Sequence, residues 1–351
     1  MRKYAKPDLS VSAADLLTRQ ASAITSCLDD HIPGDRPVAL LLFPLDDNVG
    51  NHMMWLAITE YLESRGIRIA YLASDWDFNI IDMIDAIGDG TILFIGGVSV
   101  SRLWPEHAAI KRAVAAACPD NRLISLPSTM LFVDEDDRRE ASTIFGEHRD
   151  VVLMARDPVS AASARDVFPS HVSVVTIHDS AFLLPPQPRV TDVIEHDVIW
   201  LARGDMESAG FKVPVDVMKF DWPSLERKVV NVMTGRVGSK LGRSVPNVLP
   251  FTNRVVGASY RAISQHVLSN GNRLLDQGSV LVTDRLHPHV LAVLRGQPCV
   301  LLPDRFGKNR SVWEYSSNSY NTLHWADDPE QALEIAYALA YPQVTERRRA
   351  S

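Results

Sequence analysis

Short apolar runs, each too brief for a helix, alternate along this chain with segments of helical spacing, and that alternation restricts the fold more than any other feature. An apolar run of this length, bounded by turn residues, suits a strand buried on both faces. Such strands belong to parallel sheets joined by helical crossovers. Residues 36–43 form one such run, closed by Pro44, and a polar turn at 46–51 leads to a helix over 53–65 stopped by Gly66. The pattern repeats as strand 67–73, helix 80–87, strand 91–95 ending in Gly96-Gly97, helix 105–118 and strand 122–126. It resumes as strand 151–155, helix 158–167 and strand 172–177. Ahead of these, Ser12 suits the N-cap of a helix over 13–28, with Leu16, Leu17, Ile24 and Leu28 on one stripe. The alternation predicts a doubly wound α/β domain.

A chain of 351 residues can bury two such cores. The clearest break in composition is Pro185-Pro186-Gln187-Pro188, which favours extended geometry and cannot continue a strand ladder. We therefore expect an N-terminal domain over 1–184, a connector over 185–194, a C-terminal domain over 195–342 that includes the last helix, and a tail over 343–351. The second domain should hold strand 197–202, a helix over 255–275 interrupted at Gly271, and a final helix begun at Asp328-Pro329-Glu330. Residues 208–252 mix Gly, Pro and short apolar runs. With Lys240, Arg243 and Arg254 they are the most basic neighbourhood, expected to be irregular. Neither half carries a GxGxxG fingerprint, which argues against a dinucleotide cofactor. The fold expected is α/β, with two Rossmann-like domains facing across a cleft in the glycosyltransferase-B manner.

Composition removes several classes of function. A formal charge of −7 without a long basic stripe argues against nucleic acid as a partner. Cys27, Cys118 and Cys299 stand apart, which indicates neither a disulfide framework nor a structural zinc and fits a reducing cytoplasm. The first residues turn polar before an apolar core develops, unlike a secretory signal, and no run approaches the roughly 20 apolar residues of a membrane span. The acidic run at 134–140 is interleaved with arginines and reads as a solvated helix start rather than a metal site. No cluster has metal-ligand spacing. The terminal Arg347-Arg348-Arg349 allows at most a peripheral contact with an anionic membrane surface.

The chemistry is expected between residues 280 and 308, VLVTDRLHPHVLAVLRGQPCVLLPDRFGK. Residues 280–282 read as a buried strand, Pro288 suits the first turn of a helix to about residue 294, and 299–302 read as the next strand. Arg285 and His287 then fall at the carboxyl end of a strand, where open α/β sheets bind ligands. Arg offers a fork for carboxylate or phosphate, and His titrates near neutral pH. The plainer alternative is that both merely flank a helix start. The aromatic stretch Trp313, Tyr315, Tyr320 and Trp325 reads as packing, although sugar rings stack on such side chains.

The longer string TDRLHPHVLAVLRGQPCVLL, with an Asp and a Lys following, resembles the signature of the polysaccharide pyruvyl transferase family. Upstream, VVLMARDPVSAASARDVFP (151–169), VVTIHDSAFLL (174–184), WLARGDMES (200–208) and DNVGNHMMW (47–55) are similar to further elements of that family. The resemblance spans about residues 45–310. Two departures fall in the N-terminal half: Asn51 stands where the family turn usually has Asp, and the glycine-rich loop is reduced to Gly96-Gly97-Val98-Ser99-Val100-Ser101.

The resemblance implies a transferase with the same two-domain architecture, phosphoenolpyruvate as donor and co-substrate, and no resident cofactor. It implies a glycan acceptor for exopolysaccharide or cell-surface synthesis, a lipid-linked oligosaccharide among the candidates, and a cyclic pyruvate ketal as product. A donor with adjacent carboxylate and phosphate needs at least two cations. Arg156 and Arg285 suit that role, with Leu286 in the same Arg-Leu-His motif, Lys308 adding a point charge and Arg203 a weaker candidate. His287 is the expected acid. Asp179 would either orient His287 or take a proton from the acceptor, unless it is simply a cap after a strand. Asp47, Asn48, Asn51, His52, Ser99, Ser101 and Arg102 are the acceptor candidates, although Asn48 or Asn51 would equally cap the following helix. A nucleotide-sugar glycosyltransferase and a non-catalytic glycan-binding protein on the same architecture are the rival readings.

Overall fold

The structure is a computed structural model and describes residues 12–98, 101–191, 193–222 and 249–341. It divides into two compact units. The first comprises residues 22–183 and 225–266, and the second comprises 1–21, 184–224 and 267–351.

The first unit is built on strands β1 (Val38–Phe43), β2 (Ile69–Ser74), β3 (Thr91–Phe94), β4 (Gly97–Val98), β5 (Leu123–Thr129), β6 (Val151–Ala155) and β7 (Ser173–Thr176). They pair in the order β2-β1-β3-β5-β6-β7, with β4 alongside β5, and every pairing is parallel. Helices α2 (Val49–Ser64), α3 (Ile80–Ile87), α4 (Pro105–Ala117), α5 (Glu135–Gly146) and α6 (Pro158–Val167) are the crossovers. All six residues of β1, VALLLF, are buried, as a central strand covered on both faces requires. Gly96 follows β3 where a Cβ would lie 2.0 Å from the Pro127 carbonyl oxygen, so only glycine lets β3 and β5 approach there.

The second unit holds β8 (His196–Leu201), β9 (Met218–Phe220), β10 (Gly278–Thr283), β11 (Cys299–Leu301) and β12 (Leu323–Trp325), in the order β12-β11-β10-β8-β9 and again all parallel. Val280, Val282 and Val300 join Val198, Trp200 and the alanines 332 and 336 in one core. The last two lie on helix α10 (Pro329–Ala340). Leu281, Cys299 and Leu301 alternate to the opposite face and are also buried, so this sheet too is covered twice. Helices α1 (Ala13–His31) and α7 (Leu249–Asp276) each contain a boundary between the units.

Several expectations need adjusting. Helix α2 starts at Val49, because Asn48 caps it by accepting from the Gly50 N–H at 3.1 Å. Helix α7 runs through Gly271 without a break, since the buried Val267, Leu268 and Leu275 outweigh the roughly 1 kcal/mol that a helical glycine costs. Strand β9 lies inside the stretch read as irregular, and β12 and α9 (Lys308–Val312) were not foreseen. The aromatic stretch is packed: the Arg310 guanidinium lies 5.3 Å from the Trp313 ring centre and 4.7 Å from that of Trp325, and the Tyr320 hydroxyl donates to Gln20 Oε1 at 2.7 Å. Ser99, Lys240, Arg243 and the tail 343–351 lie outside the described residues. Among the described residues no helix is long and apolar enough to cross a membrane.

Candidate active site

Each sheet reverses its strand order once; the predicted residues of the second unit gather at its reversal, whereas those of the first unit are spread over the ends of several strands. In the second unit the chain steps from β8 outward to β9, then returns to lay β10, β11 and β12 on the other side. The register sets Leu201 of β8 beside both Thr283 of β10 and Phe220 of β9, and Thr283 beside Leu301 of β11. The residues immediately after these four therefore emerge at one end of the sheet, around the switch point where α/β folds bind ligands.

Those residues carry charge. Arg203 follows β8, Asp221 follows β9, Asp284 and Arg285 follow β10, and Asp304 and Lys308 follow β11. Arg285 is the N-cap of helix α8 (Leu286–Arg295) and is 8 % exposed. Its Nη2 donates to Asp221 Oδ2 at 2.7 Å, its Nε lies 2.7 Å from Asp221 Oδ1, and Nη1 reaches Asp205 at 3.5 Å. Arg203 pairs with Asp205 at 2.6 Å and with Glu207, and Lys308 also donates to Glu207. One buried carboxylate thus bridges a guanidinium and an ammonium. Burial alone would raise the Glu207 carboxyl, but the charges of Lys308 and Arg203 bring it below its ordinary value. Asp205 shows the same balance, burial opposed by Arg203 and Arg285. Asp284 goes the other way, raised by burial despite accepting the Arg203 N–H at 2.7 Å.

His287 lies in the first turn of α8, 7 % exposed and two residues past Arg285. The second histidine of the motif has a different place. His289 is fully buried, its Nδ1 donating to the Leu286 carbonyl at 2.7 Å and its Nε2 facing Ser317 Oγ at 2.7 Å. Asn309 fastens the frame, donating to the carbonyls of Asp284 and Leu302 at 2.8 and 3.0 Å. The structure therefore brings together Arg203, Arg285, Leu286, His287 and Lys308. It adds Asp205, Glu207, Asp221 and Asn309, which the sequence reading left out. Asp205 and Glu207 were visible in the quoted ARGDMES string at two- and four-residue steps from Arg203; nothing local marks Asp221 or Asn309.

Arg156 and Asp179 belong to the first unit, past the ends of β6 and β7. Arg156 Nη1 donates to Asp179 Oδ2 at 2.8 Å and its Nε to Thr129 Oγ1 at 2.9 Å, with both members of the pair buried. The other Asp179 oxygen accepts the Ala181 N–H at 2.9 Å, capping the 3-10 turn Ser180–Leu183.

The first unit's own switch point falls between β1 and β3; of the acceptor candidates, 101 and 102 follow β4 beside β5, while 47–52 lie on the turn after β1. Asp47, Asn48 and Asn51 are partly exposed there, and Asn51 donates to Asp46 at 2.7 Å. His52 is a correction. It is fully buried, its Nδ1 3.0 Å from Ser264 Oγ and its Nε2 2.9 Å from the Asp46 carbonyl, so it packs the interior and offers no atom to a ligand. Its burial also holds it below the ordinary imidazole value. Arg102 pairs with Asp134 at 2.7 Å, while Asp137 accepts from the Arg102 N–H and Ser101 Oγ, both at 2.8 Å. The acidic run is therefore more than a solvated helix start: Asp134 caps α5, and buried Asp137 anchors the loop before α4.

Two all-parallel α/β sheets, with guanidinium, ammonium and imidazole groups around the strand-order reversal of one of them, place this chain in the class of α/β proteins whose ligands bind at the carboxyl ends of strands. The chain belongs to the polysaccharide pyruvyl transferase family, whose model matches residues 48–233, and is thus a transferase. That match ends before Arg285-Leu286-His287. Full-length relatives reach further. Pyruvyl transferase 1 of Schizosaccharomyces pombe is 26 % identical over 94 % of this chain and 82 % of its own. The putative pyruvyl transferase EpsO of Bacillus subtilis is 21 % identical over 82 % and 88 %. A crystal structure of a functionally uncharacterised protein from Klebsiella pneumoniae shares the fold, with a TM-score of 0.57 at 15 % identity over 88 % of this chain and 98 % of that one.

Proposed function

We propose that this enzyme moves the enolpyruvyl group of phosphoenolpyruvate onto a sugar of an exopolysaccharide or cell-surface glycan precursor, forming a cyclic pyruvate ketal and releasing phosphate. The observation that carries the reading is the gathering of Arg203, Arg285 and Lys308 with His287 around one strand-order reversal. A three-carbon ester with a carboxylate and a phosphate calls for that combination of cations and a proton donor. The C-terminal domain takes the donor and the N-terminal domain the acceptor.

In this reading Arg285 and Lys308 take the donor's anionic groups, exchanging them for the carboxylates that hold these cations. The Arg285 pairs with Asp221 and Asp205 suit exchange, because those carboxylates are 38 % and 44 % exposed and can turn out to solvent when an anion replaces them. His287 gives a proton to C3 of the enol, which becomes the methyl group and leaves C2 as an oxocarbenium centre. One sugar hydroxyl adds to C2 and its proton restores His287. The C2–O bond to phosphate then breaks, and a second hydroxyl adds to C2 to close the ketal, its proton leaving with the phosphate. No resident cofactor is required. We place the reaction in a reducing cytoplasm, which the three isolated cysteines fit, and at the inner membrane face when the acceptor is lipid-linked.

The test is incubation with phosphoenolpyruvate and a panel of aryl and lipid-linked glycosides, reading phosphate release and the mass gain of the ketal. Both are expected for at least one acceptor. Thermal stabilisation by nucleotide sugars and not by phosphoenolpyruvate would overturn the reading in favour of a glycosyltransferase.

A further inference from the structure

Two of the most exposed large aromatics of the first unit sit on loops at the carboxyl end of its sheet. Trp76, 48 % exposed, follows β2, and Trp104, 41 % exposed, precedes α4. Although β1 and β3 lie between β2 and β5 in the sheet, the loop after β2 meets the first turn of α4. His107 Nε2 is 4.0 Å from Asp75 Oδ2, and the His107 ring stacks on Trp104 with centres 6.2 Å apart and planes 24° apart. Both loops are fixed from below. Asp77 takes the Ser74 N–H at 2.7 Å and the Tyr260 hydroxyl at 2.6 Å, which sets the turn that displays Asp75 and Trp76. On the other side, Asp137 holds Ser101 and Arg102, and the Trp104 N–H bonds the Ser101 carbonyl at 3.1 Å.

A half-exposed indole held in place by polar loops offers a flat apolar face beside polar groups. The neighbouring charge says which kind of ligand suits it. Asp75, Asp77 and Glu106 stand here against the buried Lys111, and burial together with the charges of Glu106 and Asp77 raises the Asp75 carboxyl. With Arg102 of the same loop engaged by Asp134, such a surface disfavours phosphates and carboxylates, yet a carboxylate beside an imidazole is well suited to neighbouring hydroxyls.

We propose that Trp104, His107 and Asp75, with Trp76 next to Asp75 in the chain, form a subsite for one neutral hexose ring of the acceptor glycan. The apolar C–H face of the sugar lies on Trp104, and its hydroxyls bond Asp75 and His107. This deepens the acceptor side of the proposed function and rests on it for the ligand's identity. None of the four residues was an acceptor candidate from sequence.

Binding without donor separates the two ideas. The full-length protein is titrated with neutral p-nitrophenyl hexosides by saturation-transfer NMR and calorimetry, with no phosphoenolpyruvate present. At least one hexoside should bind, about tenfold more weakly to Trp104→Ala and Asp75→Asn, with Trp104→Phe within about threefold of wild type. Melting temperature and phosphoenolpyruvate affinity should not change in any variant. Wild-type affinity in both weakened variants, no hexoside binding at all, or tighter binding of a hexose phosphate or an alkylammonium ion would overturn the subsite. Failure of ketal formation with this binding intact would overturn only the proposed reaction.

Discussion

The guanidinium of Arg156 lies 2.8 Å from the carboxylate of Asp179, and neither side chain is more than 2 % exposed. Taking both charges out of water is costly, and their mutual attraction offsets that cost only while both are present. Arg156→Ala or Asp179→Ala should therefore each destabilise the first unit by about 3–5 kcal/mol, because each removes one member of a buried ion pair. Replacing both by apolar residues of similar size should cost much less than the sum, since the two sites are coupled. Urea unfolding of the three variants is the measurement; additive single losses would show that the pair does not act as a unit.

His287 can be tested apart from folding. Its ring lies in the first turn of α8, and its two charged or imidazole neighbours in the motif have partners of their own: Arg285 is held by Asp221, and His289 by Leu286 and Ser317. His287→Ala should lower turnover by about 10²–10⁴-fold, the usual worth of a positioned acid. The dissociation constant for phosphoenolpyruvate and the melting temperature should stay near wild type. Turnover close to wild type removes the proton-donor role.

Glu207 predicts an acid-side change in stability. Its folded carboxyl sits below the ordinary value of 4.5 through Lys308 and Arg203, despite burial. A depressed carboxyl contributes stability that is fully present above its unfolded value and is lost as pH falls through the folded one. Glu207→Gln should cost roughly 1–3 kcal/mol at neutral pH, the range for hydrogen bonds to charged groups. The gap between variant and wild type should close as pH falls below 4.5. Thermal scans of both proteins from pH 7 down to about 3, a span that brackets ordinary carboxyl values, read this directly; a gap that widens on acidification contradicts it.

What was legible in the sequence followed from local rules. Strands such as 151–155 and the helix at 158–167 announce themselves through apolar runs, Asp157 as cap and Pro158 in the first turn, and they form with those bounds. The Arg285 and His287 turn was readable because a strand and a helix start fix its place within a few residues. Long-range facts were not. Asp221 reaches Arg285 only because β9 pairs with β8, and β9 is three residues in a stretch without periodicity. His52 looked like a ligand in a polar turn, but helix α2 begins early enough to rotate it inward onto Ser264, more than two hundred residues away. Gly271 signalled a break that tertiary burial of its neighbours overrode.

Lys111 carries a prediction of opposite pH sense. It is buried on α4 with its ammonium 5.8 Å from the centre of the Phe94 ring, and burial pushes its pKa down to about 7 from an ordinary 10.5. Below pH 7 the folded state carries the buried charge and bears its full cost. Between 7 and 10.5 the unfolded chain binds more protons than the folded one, so stability should rise with pH. Lys111→Met keeps most of the side chain's volume and removes the titration. It should be more stable than wild type at pH 6, with an advantage that shrinks steadily towards pH 10, both pH values being chosen to span roughly the folded and unfolded titrations of a buried lysine. Comparing the two proteins at each pH cancels the tyrosines and cysteines that titrate over the same range. A difference that stays constant with pH would mean that Lys111 keeps its proton throughout and that its neighbours, not burial, set its charge.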